Sequence, residues 1–539
     1  MSLGPPDAAY RGRLEAADPT GTRPLGGLVA RLAAAGRLVA APADLARLEV
    51  AALAYDSRAV TPGALFVAIR GEHADGHAFV AGAAERGAVA AIVQQPTGAA
   101  IPEVVVDSSL LALADAAAWW YGDPSAQLGV VGITGTDGKT STARLTASVL
   151  EAGGWQTGVV STIGGRIGGV DELQPPHATT PQAPELQRAL RAMVAAGDRA
   201  AVVETTSHGL AQGRVNGLRY DIAVFTNLSH EHLDFHGSFE AYLAAKRLLF
   251  ERLAVTNDNP PKPAPGWPRI GIVNIDDPAA SAFVDATREA GARLITYGRD
   301  RSADLRLAEV EDDGRRLRVA WEGPVGRRSA ALQLAGRFNA YNALAAAAVG
   351  SAIGIDAEAL IAGLEGLANV PGRMQRVDAG QPFGVVIDYA HSPKALEVVL
   401  DELAPAARAR GGGLLAVFGS AGERDVDKRG RMGRIAAERA RLVIATDEDP
   451  RDEDPIAILD AIAAGAESAG AVRGETVLLI QDRRDAIREA FRAARPGDVV
   501  LLAGKGHENT ILIANGVEVP WNEREAALAA LGELGFGAP

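Results

Sequence analysis

The chain has 539 residues, of which 47% are hydrophobic and 22% are charged, and its formal net charge is −13. This length is too great for a single hydrophobic core and predicts roughly three or four domains. The negative charge argues against wholesale binding of nucleic acid, and the absence of cysteine excludes disulfides, thiolate catalysis and cysteine–zinc sites.

The N-terminus and the hydropathy pattern predict a cytoplasmic protein that binds no membrane. No run of about 18 apolar residues occurs, so no transmembrane helix is expected. Residues 1–24 lack the basic-then-apolar order of a signal peptide. They are rich in Gly, Pro and charge, and we predict a flexible N-terminal lead-in.

Residues 25–124 form the first predicted domain, a small α/β module. Short apolar runs separated by turns predict two helices and two of its strands, Leu25–Ala35, Phe79–Arg86, Val50–Tyr55 and Ala88–Gln94. Two polar segments follow strands: one contains Ser57, and the other contains His73 and His77. Taken alone, the first is an ordinary turn and the two histidines are surface residues.

A glycine-rich turn between a strand and a helix is the centre of the second predicted domain, residues 125–369. Its residues are Gly135, Thr136, Asp137, Gly138, Lys139, Thr140 and Ser141. Glycines let backbone N–H groups face phosphate oxygens, Lys139 suits the outer phosphates, and the Thr140 hydroxyl suits Mg²⁺. Ile133 stands where the general P-loop pattern has its first glycine, so a glycine turn without a ligand is the alternative.

Two further strands of this domain are predicted to end in polar residues. Ala200–Glu204 ends in a carboxylate, and ligands of open α/β sheets lie at the carboxyl ends of strands, so Glu204 suits a metal. Ile222–Phe225 precedes a segment, His230–His236, that holds three histidines and two acidic residues. Zinc is one interpretation, but the spacing matches no strong zinc signature, and binding of Mg²⁺ or phosphate is favoured.

Residues 370–539 form the third predicted domain, another α/β unit. Four predicted strands each end in polar or charged residues: Gly384–Asp388, Leu414–Phe418, Leu442–Thr446 and Asp498–Ala503. The carboxyl ends of parallel strands meet at one edge of a sheet, so we expect one concave, charged site there.

Short motifs from about Asp56 to Glu525 resemble those of the Mur ligase family. The segment Gly132–Thr140 is similar to the family's phosphate loop, T-G-T-N-G-K-[TS], with Asp137 in place of asparagine. Glu231 likewise replaces the usual aspartate before a histidine. Other matches include Thr179-Thr180-Pro181, Glu204–His208, His232-Leu-Asp234, Gly372-Arg373-Met374, Asp388-Tyr-Ala-His391 and Gly504–Glu508.

The resemblance implies an α/β protein with three domains: a UDP-sugar-binding N-terminal domain, a central P-loop domain for ATP, and a Rossmann-like C-terminal domain for an amino acid. It also implies an activity in peptidoglycan precursor synthesis. ATP would activate UDP-N-acetylmuramoyl-L-alanyl-D-glutamate as an acyl phosphate, and a diamino acid would then be added. The expected cofactor is Mg²⁺, the expected partners are these small molecules, and the expected state is a monomer.

The same resemblance implies the site residues. Catalysis would fall to Lys139, Glu204, His232, Lys246 and Arg373. Metal ligands would be Thr140, Glu204, His232 and a carbamoylated Lys246, although Lys246 taken alone is an ordinary surface lysine. ATP would contact the loop Gly135–Ser141 together with Asn274, Asn339, Arg373 and Asp388. The UDP-sugar dipeptide would contact Ser57, His73, His77, Thr179, Thr180, Ser207 and Arg214.

The amino acid is implied to meet Asp449, Pro450, Arg451, Gly504 and Glu508. Family members that use meso-diaminopimelate typically carry D-N-P-R, where this chain has Glu448-Asp449-Pro450-Arg451. Arg451 suits a distal carboxylate. Asp449 either favours a distal amine without a carboxylate, as in L-lysine or L-ornithine, or pairs with Arg451. On balance meso-diaminopimelate is favoured slightly.

Three alternative functions fit parts of the pattern. Folylpolyglutamate synthetase performs the same type of amide ligation, but the segment Asp56–His77 suits a UDP-sugar and argues against it. A non-catalytic nucleotide-binding module would leave Glu204, His232 and Lys246 free to vary. A structural zinc protein would contain stoichiometric zinc.

Overall fold

The computed structural model describes residues 8–71, 74–172, 178–229, 231–256, 259–262, 265–312, 316–324 and 326–537. The chain divides into two compact units. The first comprises Met1–Leu307, Glu322–Gly326 and Tyr341–Gly363, and the second comprises Ala308–Trp321, Arg327–Ala340 and Leu364–Pro539. The predicted domain boundaries at residues 24, 124 and 369 stay a prediction.

The N-terminal part of the first unit contains a small mixed sheet. Its elements are α1 (Ala8–Ala16), β1 (Arg23–Pro24), α2 (Gly26–Ala34), β2 (Leu38–Ala40), β3 (Glu49–Val50), β4 (Ala52–Ala54), β5 (Ala64–Val67), α3 (Val80–Glu85), β6 (Ala90–Val93), β7 (Glu103–Val106) and α4 (Ser109–Tyr121). The sheet order is β2-β7-β6-β5-β4, and only β2 runs antiparallel to its neighbour. β5 and β6 are apolar and buried along their whole length, as expected for central parallel strands.

Helix α1 was not anticipated from the sequence. Its Tyr10 is 5% exposed and belongs to the core of the larger sheet described next. Asp18, just beyond the helix, accepts two hydrogen bonds from the Arg188 guanidinium. The segment that follows residue 7 is therefore tied to the first unit by both apolar and charged contacts.

A larger, mostly parallel sheet follows. Its elements are β8 (Gly129–Thr134), α5 (Lys139–Ala152), β9 (Thr157–Ser161), β10 (Gly164–Ile167), β11 (Val170–Asp171), α6 (Ala183–Ala195), β12 (Ala200–Glu204), α7 (Ser207–Ala211), β13 (Ile222–Phe225), α8 (Leu233–His236), α9 (Phe239–Glu251), β14 (Ile270–Asn274), α10 (Ala280–Glu289) and β15 (Arg293–Gly298). In this unit the order is β11-β10-β9-β12-β8-β13-β14-β15.

The register of the central strands sets the position of the candidate site. Glu204 of β12 lies opposite Ile133 of β8, and Phe225 of β13 lies opposite Thr134. β8, β12 and β13 are parallel. Their carboxyl ends therefore lie side by side, where the sequence predicted ligand-binding residues.

The next elements along the chain are three strands and two helices: β16 (Leu305–Asp312), β17 (Leu317–Gly323), β18 (Gly326–Leu332), α11 (Asn339–Ala352) and α12 (Ala357–Gly366). The alternating pattern of residues 304–334 predicts paired strands, and these strands are confirmed. Most of the turn predicted at Asp312-Asp313-Gly314 lies outside the described residues.

The second unit is built on a six-stranded sheet of order β19-β20-β24-β21-β22-β23. Its elements are β19 (Gln375–Arg376), β20 (Gly384–Asp388), α13 (Pro393–Ala409), β21 (Leu414–Phe418), α14 (Asp427–Ala437), β22 (Leu442–Ala445), α15 (Pro455–Ser468), β23 (Val477–Leu479), α16 (Arg483–Ala493), β24 (Val499–Ala503), β25 (Thr510–Ile513), β26 (Val517–Pro520) and α17 (Glu523–Glu533). All strands from β20 to β23 in this order are parallel. The four predicted strands of this unit are confirmed to within one residue at each end.

Among the described residues, no helix is both long and apolar enough to cross a membrane.

Candidate active site

The glycine-rich loop joins the carboxyl end of β8 to the first turn of α5. Gly138 precedes the helix with φ +80°, and Gly135 has φ +151°. The loop is held from β13, because Thr226 Oγ1 donates to the carbonyl of Asp137 (2.7 Å) and the amide of Asp137 donates to Asn227 Oδ1 (2.9 Å). A loop fixed in this way presents the amino end of α5, which carries partial positive charge and suits a phosphate.

Gly138 is enclosed on the side where a side chain would project. A Cβ at this position would lie closer than van der Waals contact to Asn342 Oδ1 of α11. That oxygen also accepts a hydrogen bond from Thr142 Oγ1 (3.1 Å), and both residues are buried. The loop therefore needs glycine at position 138 for its backbone angle and for space.

We expect Gly138→Ala to lower the free energy of unfolding more than Gly154→Ala. Gly154 is the matched control, because its φ is +81° but a Cβ added there would meet no atom within 4 Å. The extra loss should be about 1–3 kcal/mol, the usual cost of overpacking a filled position. Urea denaturation measures both values, and equal losses would contradict the role assigned to the Asn342 contact.

Two lysines converge on the loop. Lys139 Nζ donates to the carbonyls of Gly135 (3.1 Å) and Thr136 (2.7 Å). Lys246 Nζ, from α9, donates to the same Gly135 carbonyl (2.6 Å) and lies 4.5 Å from the centre of the Tyr242 ring. Lys246 is only 2% exposed, so its interpretation as a surface lysine is wrong.

The environment of Lys246 disfavours its charged form. Burial, and then the nearby charge of Lys139, lower the pKa of the Lys246 amine well below its ordinary value. A neutral amine is the nucleophilic form of lysine, and it is the form that reacts with carbon dioxide. The geometry therefore suits the carbamoylation that the family resemblance implies.

Glu204, at the end of β12, is fully buried and only half satisfied. Its Oε2 accepts hydrogen bonds from Thr162 Oγ1 (2.7 Å) and from the Thr162 amide (3.3 Å). Its Oε1 is buried and has no hydrogen-bond partner among the described residues. A buried carboxylate oxygen without a donor is costly unless a cation meets it, so the donor set fits Mg²⁺. The buried Thr140 lies one residue into α5, next to the strand end that carries Glu204.

His232 belongs to a cluster of aromatic and imidazole rings. It has φ +56°, and its Nε2 lies 3.6 Å from Glu231 Oε2. Its ring centre lies 4.8 Å from that of His208 and 6.1 Å from that of Tyr242. Tyr242 in turn shares a hydrogen bond with Thr136 Oγ1 of the loop (3.1 Å). The cluster is therefore linked to the phosphate loop through Tyr242.

The zinc interpretation gains no support from this segment. His230 lies outside the described residues, as do the side chains of Leu233 and Asp234. Within the part of the chain that is described, no group of three or more histidine and acidic side chains could hold a metal ion.

The residues predicted for the dipeptide surround Glu204. Thr179 Oγ1 lies within hydrogen-bond distance of Thr162 Oγ1 (3.0 Å), and Thr180 Oγ1 donates to the Glu204 carbonyl (2.8 Å). The Arg214 guanidinium donates to the Thr180 carbonyl (2.8 Å), while its Nε is buried without a hydrogen-bond partner among the described residues. Ser207 is buried at the first turn of α7. These residues form one continuous group beside the carboxylate.

The residues predicted for the UDP end lie on the small sheet. Ser57 is half-buried in the turn after β4, whose Asp56 accepts from the Arg58 amide (2.9 Å). His77 is 7% exposed, so its surface interpretation is wrong. Its Nε2 accepts from the Gln94 amide (2.8 Å), and its Nδ1 therefore donates to Asp75 (2.6 Å). Both ring nitrogens of His77 are thus hydrogen-bonded within the module, which suits a positioning role. His73 lies outside the described residues.

The residues predicted for adenine and ribose are divided between the units. Asn274, at the end of β14 in the first unit, donates to the Thr226 carbonyl (2.8 Å). In the second unit, the Asn339 side chain donates to the Ala335 carbonyl (2.6 Å). Asp388 there accepts from the amides of Met374 (2.7 Å) and Ala390 (2.9 Å). Asn274 therefore ties the end of β14 to the residue after β13, and the bonds of Asn339 and Asp388 lie within the second unit.

Arg373 lies at the centre of a cluster in the second unit. Its guanidinium is stacked on the Tyr389 ring at 4.9 Å, and its Nε is buried without a hydrogen-bond partner among the described residues. Tyr389 donates to Glu508 Oε1 (3.2 Å). Gly372 lets its own segment approach the backbone of Gly506 and His507, because a Cβ at position 372 would collide with that backbone.

The predicted amino-acid residues converge in the second unit, together with Lys505, which the sequence interpretation missed. Lys505 is 1% exposed, and its ammonium donates to Asp449 Oδ1 (2.9 Å) and Glu508 Oε2 (2.5 Å). Asp449 therefore pairs with Lys505, which corrects the pairing with Arg451 that had been left open. Only the match to a motif around Gly504 pointed to this lysine.

Arg451 has no carboxylate partner among the described residues. It has φ +55°, its amide donates to the Leu512 carbonyl (3.1 Å), and its Nε is buried without a hydrogen-bond partner. Pro450 is buried beside it, and a Cβ at Gly422 would collide with the Pro450 carbonyl. Gly504, with φ +101°, leaves room for the buried Glu448 carboxylate, whose pKa is raised by burial.

The sequence of this chain is similar to known proteins over nearly its whole length. Sequence profiles described as Mur ligase family, catalytic domain, Mur ligase middle domain and Mur ligase, glutamate ligase domain match residues 49–118, 133–350 and 372–506, respectively. A UDP-N-acetylmuramyl-tripeptide synthetase of Roseiflexus sp. (strain RS-1) is 49% identical over 497 residues, 91% of this chain and 96% of that protein.

Two other matches agree. A UDP-N-acetylmuramoyl-L-alanyl-D-glutamate–2,6-diaminopimelate ligase of Geobacter metallireducens (strain ATCC 53774 / DSM 7210 / GS-15) is 40% identical, covering 90% of this chain and 95% of that one. A solved structure of a ligase with the same name superposes with a TM-score of 0.66 at 30% identity, covering 92% of this chain and 98% of that one. The chain therefore belongs to the Mur ligase family of ATP-dependent amide ligases and has its three-domain α/β architecture.

Proposed function

We propose that this ligase adds a diamino acid to UDP-N-acetylmuramoyl-L-alanyl-D-glutamate during peptidoglycan precursor synthesis. The observation that carries the proposal is the 49% identity with a tripeptide synthetase over 91% of the chain. The buried group around Glu204 and the two lysines on the loop support it, because acyl activation by ATP needs cations beside a phosphate. Folylpolyglutamate synthetase stays the rival within the same chemistry.

The proposed reaction has two steps. A γ-carboxylate oxygen of the D-glutamyl residue attacks the γ-phosphorus of ATP, and the bond from that phosphorus to the β–γ bridging oxygen breaks to release ADP. The amine of the diamino acid then attacks the carbonyl carbon of the acyl phosphate. The tetrahedral adduct loses a proton and expels phosphate, which leaves the amide.

The chain's own residues supply positioning and charge for this reaction. Lys139 would meet the transferred phosphoryl group, since phosphoryl transfer depends mainly on positioning and electrostatic stabilisation. Arg373 of the second unit stays a predicted ATP contact. Thr140, Glu204, His232 and the carbamate of Lys246 would hold Mg²⁺. When bound, the metal would neutralise negative charge on the phosphate oxygens.

Carbamoylation of Lys246 is part of the proposal. The neutral amine would add to carbon dioxide, forming an N–C bond and releasing a proton, and the product carries a carboxylate-like group. The lowered pKa of Lys246 supports this step, because burial and the charge of Lys139 favour the neutral, reactive amine.

We also propose meso-diaminopimelate as the preferred amino acid. The negative charge of Asp449 is met by Lys505, so Asp449 does not provide the unpaired anion that a lysine side chain would require. Arg451 contacts no carboxylate among the described residues, and it suits the distal carboxylate that only diaminopimelate carries.

The expected result of an acceptor panel is faster ligation of meso-diaminopimelate than of L-lysine or L-ornithine. Arg451→Gln should reduce kcat/KM for meso-diaminopimelate by about 10–100-fold, because a hydrogen bond between charged groups contributes roughly 1.5–3 kcal/mol. The same variant should change the values for L-lysine and L-ornithine much less. Formation of tripeptide from ATP and the UDP-dipeptide is the measurement.

The control variant is Arg473→Gln, which removes an arginine whose partners are exposed and lie elsewhere in the second unit. Preference for L-lysine in the unaltered enzyme, or an equal loss for all three amino acids in Arg451→Gln, would contradict the assignment of meso-diaminopimelate. Ligation of glutamate to a folate, with none to the UDP-dipeptide, would instead support the folylpolyglutamate rival.

A further inference from the structure

A polar cavity lies in the first unit, at the opposite edge of the central sheet from the phosphate loop. Its volume is about 370 Å³, and its lining includes Arg219 and Arg252. Arg219 precedes the amino end of β13, and Arg252 follows the last residue of α9. The phosphate loop follows the carboxyl end of β8, which is parallel to β13. The cavity is therefore separate from the candidate active site.

Positive charge predominates in the lining of this cavity. Four arginines line it, Arg31, Arg37, Arg219 and Arg252, together with two carboxylates, Asp115 and Glu251. The excess of two positive charges stands out in a chain whose formal net charge is −13. An uncompensated cluster of guanidinium groups repels itself, and an anion relieves that repulsion.

Both carboxylates already pair with arginines, and Arg31 also pairs with Asp123 (2.7 Å), which does not line the cavity. Asp115 is shared by Arg37 (Nε–Oδ2, 2.6 Å) and Arg31 (Nε–Oδ1, 3.5 Å). Glu251 Oε1 lies 3.4 Å from the Nε of Arg247, on its own helix. No salt bridge of Arg219 or Arg252 occurs within the described ranges of the chain.

Arg252 supplies an unsatisfied donor. One of its terminal nitrogens donates to Asn216 Oδ1, but its Nε is buried and has no hydrogen-bond partner in the described part of the chain. A buried guanidinium N–H without an acceptor is costly. An acceptor oxygen in the cavity would satisfy it.

We propose that this cavity binds a phosphoryl dianion. Guanidinium groups pair with phosphate through two parallel hydrogen bonds, and a dianion would balance the charges of Arg219 and Arg252. The volume falls in the range of small-molecule sites, about 300–1,000 Å³, so it admits either inorganic phosphate or a phosphomonoester with a small organic body. The ligand would join α2 and α4 of the small sheet module to the amino edge of the central sheet.

The test measures phosphate binding through the thermal unfolding midpoint of the full chain. The Lys139→Ala variant serves as the background, because it weakens phosphate binding at the active site. A ligand that binds the folded state raises the unfolding midpoint with its concentration. We expect inorganic phosphate or glycerol 3-phosphate to raise the midpoint, and Arg219→Gln to weaken that binding at least tenfold. The more effective of the two compounds identifies the source of the phosphoryl group.

Arg301→Gln is the matched control, because Arg301 is an exposed arginine of the same unit that does not line the cavity. Arg219→Lys keeps the charge without the guanidinium and should bind with intermediate affinity, which also shows that the site tolerates substitution. Equal concentration dependence in Arg219→Gln and Arg301→Gln would overturn the proposal. So would a midpoint that neither compound raises in the Lys139→Ala background.

Discussion

Replacing Lys139 by alanine is expected to abolish ligation while leaving the fold intact. The ammonium lies on the phosphate loop, where it donates to the carbonyls of Gly135 and Thr136. Loss of a cation that stabilises a transferring phosphoryl group removes several kcal/mol of transition-state stabilisation, and one preorganised donor alone accounts for roughly 100–1,000-fold in rate. We therefore expect kcat to fall at least about 1,000-fold.

The fold should survive because Lys139 is only half-buried and its two hydrogen bonds contribute about 1 kcal/mol each. Circular dichroism and thermal unfolding check this point, and ATP-dependent tripeptide formation checks the rate. Lys394→Ala, which removes an exposed lysine from α13, is the control and should ligate normally. Ligation at the normal rate in Lys139→Ala would overturn the assignment of the loop to ATP.

Replacing Lys246 by alanine should also remove most ligation, with a different signature. If the working group is a carbamate, the variant lacks one carboxylate ligand of the metal, and a small added carboxylate such as acetate should restore part of the activity. Acetate is smaller than the lysine side chain that is removed, so the vacated space matches it in size. We expect a loss of at least about 100-fold, comparable with other losses of groups that position or hold a metal.

Rescue is measured as ligation rate against acetate concentration. Lys139→Ala is the control, because its lost group is a cation and acetate should not restore it. Depletion of carbon dioxide should lower the activity of the unaltered enzyme and leave Lys246→Ala unchanged. Absence of rescue, together with no dependence on carbon dioxide, would refute the carbamate.

The parts of the site that the sequence predicted are local. The phosphate loop joins residues that are neighbours in the chain, and the predicted strand Ala200–Glu204 has the same bounds in the structure. The helix that follows the glycine-rich turn, α5, begins at Lys139. The left-handed Gly138 explains this, because it ends the turn one residue before the lysine.

The remaining features depend on contacts between distant segments. Lys505 and Asp449 are 56 residues apart, and no periodicity of either segment indicates that they pair. The burial of Lys246 also depends on tertiary packing. A lysine near the border between the apolar and polar faces of an amphipathic helix can be either buried or exposed. Likewise, the arginine cavity is lined by residues of α2 and of the end of α9. The packing of two sheets brings these distant segments together.

The carbonyl of Gly135 accepts hydrogen bonds from the side-chain nitrogens of two lysines, Lys139 and Lys246. This redundancy means that loss of either lysine leaves the oxygen with a donor, so neither single variant creates an orphaned acceptor. A fall in rate can then be attributed to chemistry instead of unfolding. The two substitutions are also coupled through that oxygen, so their energies are not additive, and a combined variant would not report the sum of two independent contributions.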